Sequence, residues 1–254
     1  MEIIKLSLSV TNDYLIKTNA NNYILIDTGY VDDWNLFCKR LKELKIEIHN
    51  ISHIILTHHH DDHCGLLNKI VEINNAVKIV MYSSTKDLLT KGENDRTHGG
   101  GLINKRIDFL IKFKQLYISL ILRKHVDKNS NLKFPPYKAR ENDIIFNGEI
   151  KLSDIGINLP GKIIETPGHT VDSVSIVFEN GDCFVGDAAA NMLRFAGTKY
   201  CVIFIMNLKQ YYESWIKIIK ANAKTVYPAH GKAFKIDKLQ KNIWKNIKNV
   251  EVKL

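Results

Sequence analysis

The chain has 254 residues, 45% of them hydrophobic, and a formal net charge of +9. That composition excludes a disordered chain and suffices for one sizeable core, and no Pro/Gly/Ser-rich linker divides it into two. The longest apolar runs, such as LYISLIL at 116–122, are too short to span a bilayer, and four cysteines with no C-x-x-C pair exclude a thiolate zinc knuckle or a redox motif.

The opening MEIIKLSLSV lacks a basic segment followed by a long apolar run, so no signal peptide and a cytoplasmic location are expected. YLIKT (14–18) and YILIDTG (23–29) are β-branched runs joined by NANN, which predicts a hairpin ending at Asp27-Thr28-Gly29. Residues 32–45 place Trp34, Phe37, Cys38, Leu41 and Leu44 at helical spacing, with Asp32 or Asp33 as the N-cap. HIILT (53–57) reads as a short buried strand. The histidine-rich LTHHHDDHCG begins where that strand ends.

A helix over about 65–73 and a strand at VKIVMY (77–82) come next, then an irregular stretch KGENDRTHGGG at 91–101. Residues 102–124 predict a helix with two apolar stripes: Ile103, Ile107, Leu110, Tyr117 and Ile121, beside Phe109, Phe113, Leu116 and Leu120. That surface is wider than one core contact needs, so the helix is expected to cover a pocket or to form a homodimer surface. From 143 the pattern returns to strands: IIFNGEIKL with a turn at Asn147-Gly148, then KIIETPGHT, SVSIVFENGDCFVGD and TVYPAHG, with helices at about 208–222 and 236–248.

The charge is unevenly placed. Residues 102–140 hold ten Lys/Arg against two acids and residues 209–254 eleven against three. A nucleic-acid partner is one reading of these regions, and a solvated lysine-rich surface is the plainer one. Cys38, Cys64, Cys183 and Cys201 are expected to be reduced, mostly buried thiols.

His58, His60, Asp62 and His63 form the pattern H-x-H-x-D-H after a strand. Residues two apart on an extended loop point the same way, so His58 and His60 can approach one ion while Asp62 and His63 face a neighbour. Imidazole and carboxylate donors suit zinc best, and iron or manganese also. Four ligands leave two ions under-coordinated, which demands further donors at strand ends. His169 in TPGHT, Asp187 in FVGD and His230 in YPAHG supply them, and Asp187 has two oxygens with which to bridge. His59 and Asp61 read as bystanders that point away. His49, His53, His98 and His125 match no motif, although His98 stands out beside Gly99–Gly101. HGGG is similar to an esterase oxyanion loop, but no G-x-S-x-G exists to supply a nucleophile.

With IDTG at 26–29, HHHDDH at 58–63, TPGHT at 166–170, GDA at 186–188 and PAHG at 228–231, in that order, nearly the whole chain resembles the metallo-β-lactamase-fold hydrolase superfamily. The resemblance implies an α+β fold, a four-layer αβ/βα sandwich; with no linker in the chain this is a single domain over 1–254, and the two apolar stripes predict a helical lid insertion at about 91–140. The resemblance also implies that His58, His60 and His169 hold a first divalent metal ion and Asp62, His63 and His230 a second, with Asp187 bridging and Asp27 orienting ligands. Asp62 would also steer the attacking hydroxide or relay its proton, as the catalytic residue.

Departures from branches of the family narrow the activity. Asp187 stands where many true β-lactamases carry a cysteine, and His60 departs from the H-x-E-x-D-H of the flavin-linked branch. Ala190 stands where acyl-homoserine lactonases carry a tyrosine, and the 24 residues after His230 are too few for a glutathione-binding helical domain. The expectation is a hydrolase of a small ester, thioester or lactone, with Arg194 and Tyr200 as candidate substrate contacts. The alternatives are a phosphodiesterase or nuclease using the basic insertion and tail, and a non-catalytic metal-binding or sensor module.

Overall fold

The computed structural model describes residues 1–19, 21–95, 97–121 and 133–243. In chain order the first half contains β1 (Ile3–Ser7), β2 (Asn12–Lys17), β3 (Tyr23–Ile26), α1 (Trp34–Glu43), β4 (Ile51–Ile55), α2 (Asp61–Cys64), α3 (Leu67–Ile73), β5 (Lys78–Tyr82), α4 (Ser83–Lys91), β6 (Gly101–Leu102), α5 (Lys105–Ile121) and β7 (Ile144–Phe146). The second contains β8 (Ile150–Lys151), β9 (Gly161–Glu165), β10 (Val174–Phe178), β11 (Asp182–Gly186), β12 (Phe204–Ile205), α6 (Leu208–Lys220), β13 (Thr225–Pro228) and β14 (Phe234–Lys235).

Alternation along the strands builds two faces on each sheet. In β2, Tyr14 and Ile16 enter one core while Leu15 enters another, and in β3 Ile24 and Ile26 part from Leu25 in the same way. The inward set meets Ile163, Val174, Ile176, Phe178 and Phe184 of the second sheet. The outward set packs on Phe37 and Leu41 of α1 and Ile70 of α3. On the far side, Tyr211, Trp215 and Ile218 of α6 cover Val177, Cys183, Val185 and Val226. The layers therefore run helix, sheet, sheet, helix. The strand orders are β1-β2-β3-β4-β5-β7 and β14-β13-β11-β10-β9-β8, with a separate β12-β6 pair. With both faces covered, β3 and β10 are buried along their whole length.

Several elements go beyond the sequence reading, among them the short α2, β6, β12 and β14. Strand β1 pairs with β2 at the sheet edge. Helix α4 buries only Thr85, Leu88 and Leu89, a stripe too short to stand out in the sequence. The Asn147-Gly148 turn is present, with Gly148 at φ 67°. It does not close a hairpin, because β7 pairs with β5 and β8 pairs with β9. The chain crosses from the first sheet to the second there, and a local turn signal is the same for both outcomes.

Within 91–140, α5 buries Ile107, and Phe134 and Tyr137 enter the core of the first sheet. Phe109 and Phe113 are exposed and stack on each other with centroids 6.4 Å apart. The rest of the predicted 102–124 helix, and the end of the one predicted at 236–248, lie outside the described residues; residues 237–243 are helical. Among the described residues no helix is long and apolar enough to cross a membrane.

Candidate metal centre

The centre lies at one edge of the sandwich, where β3, β4, β9, β11 and β13 all end. After β4 the chain stays extended to His60, at φ −65° and ψ 152°, and then turns into α2. His58 and His60 come from the extended part, and Asp62 and His63 from the first turn of α2. His169 follows β9, Asp187 follows β11 and His230 follows β13.

The structure brings all seven together. Donor atoms of His58, His60 and His169 lie within 4.8 Å of one another, as do those of Asp62, His63 and His230, and those of His58, His63 and Asp187. Asp187 thus joins one member of each of the first two groups. Its Oδ2 is 3.4 Å from His169 Nε2 and its Oδ1 is 3.2 Å from His230 Nε2. His230 Nε2 is also 3.3 Å from Asp62 Oδ2.

The imidazoles are oriented from behind. Asp27, at φ 60°, accepts from Thr57 N–H at 2.8 Å and Thr57 Oγ1 at 2.7 Å, and its Oδ2 lies 2.8 Å from His63 Nδ1. His63 therefore donates its Nδ1 proton to Asp27, and Nε2 faces the centre. His169 Nδ1 donates to Phe204 O at 2.9 Å, and His230 Nδ1 to Val10 O at 3.3 Å. Gly186 sits at φ 49°, and a Cβ there would lie 2.3 Å from Thr57 Oγ1. The GD of GDA thus lets β11 close on the Asp27–Thr57 support.

Burial favours neutral imidazole, and burial together with the crowding of neighbouring rings holds His58 and His60 well below the usual histidine range. Burial would push His63 down too, but the Asp62, Asp27 and Asp187 carboxylates drive it up to about 10. Burial alone would raise Asp62 and Asp187; the surrounding histidines reverse this and keep both ionised. Against burial, the same two carboxylates raise His230 well above the usual histidine range, so His58 and His60 are neutral donors and Asp62 and Asp187 anionic ones. His58 Nε2 and His63 Nε2 are buried without a hydrogen-bond partner, which is costly unless something else satisfies them.

His59 and Asp61 join none of the three groups. They are nonetheless buried and bonded: His59 Nδ1 to Asp172 Oδ1 at 2.9 Å, and Asp61 to Asn94. Asp172, three residues after His169, was not singled out from the sequence. Neither was Tyr30, next to IDTG. Burial, and then the Asp62, Asp61 and Asp187 carboxylates, raise its phenol, so it stays protonated. Tyr200 is buried and packs on Phe234 with centroids 4.6 Å apart, and the exposed Arg194 guanidinium lies 5.0 Å from the Tyr200 ring.

A family model described as the metallo-beta-lactamase superfamily matches residues 6–230. "Lactamase-like protein aptB" of Emericella nidulans is 26% identical over 96% of this chain and 58% of its own length. "Beta-lactamase-like protein 2 homolog" of Caenorhabditis elegans is 26% identical over 93% of this chain and 60% of its own length. The chain thus spans about three-fifths of these curated relatives. Among solved structures, BJP-1, a subclass B3 metallo-beta-lactamase of Bradyrhizobium japonicum, superimposes with TM-score 0.63 at 17% identity, covering 99% of this chain and 90% of that one. ST1585 from Sulfolobus tokodaii gives 0.60 at 18% identity, covering 96% and 85%. Both show a shared fold.

Proposed function

The chain belongs to the metallo-beta-lactamase superfamily, and from that premise we propose that it is a metal-dependent hydrolase of small esters, thioesters or lactones working with two divalent ions. One observation carries the reading: buried donors from four separate segments converge while His58 Nε2 and His63 Nε2 lack hydrogen-bond partners. That donor set fits a divalent cation, with zinc the best match to histidine and carboxylate together. His58, His60 and His169 would hold one ion and Asp62, His63 and His230 the other, with Asp187 shared. Bound there, divalent ions lower the pKa of a water to about 7 and polarise a carbonyl oxygen.

The chain's own residues do the rest. Asp62 has two oxygens, one to hold a cation and one to accept a hydrogen bond from the attacking water and relay its proton. Asp27, Phe204 O and Val10 O keep three imidazoles aimed, so little reorganisation is needed as the reaction proceeds.

The test is a panel of ester, thioester, lactone, β-lactam and bis-nitrophenyl phosphate substrates on metal-reconstituted protein. Hydrolysis of an acyl substrate, lost in His58→Ala, supports the reading. Inactivity on every substrate, with His58→Ala behaving like the parent, sinks it. Exposed Lys105, Arg106 and Lys112 on α5 keep a phosphodiesterase reading in view. Activity on the phosphate diester and nucleic-acid binding that falls steeply with salt would favour it.

A further inference from the structure

We infer that His59 and Asp61, the motif positions outside the ligand groups, are positioning residues that fix a strap along the mouth of the metal centre, and that the fixed strap limits substrate size. The strap consists of Asn94, Asp95 and residues 97–104. Its role in substrate choice rests on the hydrolase reading above; its attachment does not.

The near end is tied on both sides of His60, the least buried of the seven donors. On one side, Asp95 N–H donates to His59 Nε2 at 3.0 Å. A backbone amide can only donate, so Nε2 carries the lone pair and Nδ1 the proton, which goes to Asp172. Asp172 is 1% exposed, and its second oxygen accepts from Thr85 Oγ1 at 2.8 Å. His59 is thus locked in one tautomer and one orientation by three other segments. On the other side, Asp61 and Asn94 form a reciprocal pair: Asp61 N–H donates to Asn94 Oδ1, and Asn94 Nδ2 donates to Asp61 Oδ1, each at 2.8 Å.

The far end is tied to the support of another donor. Leu102 pairs with Phe204 and Gly101 with Ile205. Ile103 N–H donates to Ile203 O at 2.9 Å, and Asn104 Nδ2 to Ala196 O and Gly197 O at 3.3 and 3.4 Å. Phe204 O is the acceptor that orients His169. The strap therefore runs from the flanks of His60 to the backbone behind His169, two donors of one group. Between its anchors His98, Gly99 and Gly100 are exposed, and Asp95 accepts from Thr97 and pairs with His98 to close the turn. A segment pinned at both ends is a wall of fixed position, where a free loop of this glycine content would yield to a bulky substrate.

Two variants loosen the strap at opposite ends: Asn94→Ala removes the pair with Asp61, and Asn104→Ala removes the bonds to Ala196 O and Gly197 O together with the Oδ1 acceptor for Arg106 and Ile107 N–H at the start of α5. Neither residue belongs to a ligand group. Three readouts apply to holo protein: bound zinc, hydrogen exchange in peptides covering 93–104, and kcat/KM on a series of acyl esters of increasing chain length. The expected result is exchange faster by about tenfold or more with zinc content unchanged. The long-to-short ratio of kcat/KM should rise about tenfold, carried by KM. Exchange equal to the parent's in both variants overturns the inference. So does faster exchange with the chain-length profile intact, and so does loss of zinc, which would make the pair a support of the ligands instead. If the parent hydrolyses no ester, the hydrolase reading has failed, and exchange alone decides the strap: acceleration supports it and its absence overturns it.

Discussion

Asp27→Asn isolates the support of one half of the centre. The native carboxylate is 2% exposed and holds three groups: Thr57 N–H, Thr57 Oγ1 and His63 Nδ1, at 2.8, 2.7 and 2.8 Å. Asparagine keeps the size and one acceptor oxygen, which the Thr57 amide demands because that donor has no alternative. The new NH₂ then faces Thr57 Oγ1 and His63 Nδ1. The hydroxyl can turn and accept. His63 can satisfy the NH₂ only by giving up its Nδ1 proton, which moves the proton to Nε2, the atom facing Asp62 and Asp187. A protonated Nε2 cannot bind a cation.

One disturbed buried hydrogen bond costs about 1–3 kcal/mol, which lowers the melting temperature by about 2–4 °C per kcal/mol in a chain of this size. Loss of such an orienting partner weakens metal affinity by about 10–100-fold. Calorimetric zinc titration of chelator-stripped protein reads this directly. One of two binding steps should weaken by that factor, while the step assigned to His58, His60 and His169 stays within about threefold of the parent. Two unchanged steps would refute the argument from tautomer, and equal weakening of both would refute the division of labour.

Gly186→Ala places a Cβ 2.3 Å from Thr57 Oγ1 at φ 49°, so β11 must shift. We expect about 2–4 kcal/mol of destabilisation by denaturant titration, together with lost metal, since Asp187 is the next residue. The four thiols are unequal: Cys64, Cys183 and Cys201 are buried and Cys38 is partly exposed. Thiol titration should find one reactive group in native protein and four in guanidinium. Burial pushes the Cys201 thiol up to about 12 from an ordinary 9.0. Its contribution to stability is therefore complete below pH about 9 and is lost as pH rises towards 12. Urea midpoints should fall over that range, and less steeply in Cys201→Ser.

The convergence of the seven side chains could be read from the sequence because their segments follow apolar strands, and strand ends at one edge of a sandwich meet. The hairpin β2–β3 and the helices α1 and α3 were legible for a similar reason, since their periodicity is strong and local. The β7–β8 crossover was hidden, because Asn147-Gly148 carries no information about which sheet each flank joins. The support of His59 was hidden for a different reason: Asp172 is 113 residues away, and neither residue has a local signature. The influence of the Asp62 and Asp187 carboxylates on the Tyr30 phenol was hidden because it arises only when the 27–30 turn folds against residues 63–65.

The account stands on the seven converging donors, and metal content coupled to activity tests them most directly. Purified parent protein is assayed for bound divalent ion and for hydrolysis before chelation, after chelation and after zinc is restored, with His58→Ala in parallel. We expect two ions per chain, activity that disappears on chelation and returns with zinc, and neither full loading nor activity in the variant. A parent that binds no divalent ion, or that hydrolyses its substrate equally well without one, would contradict the account.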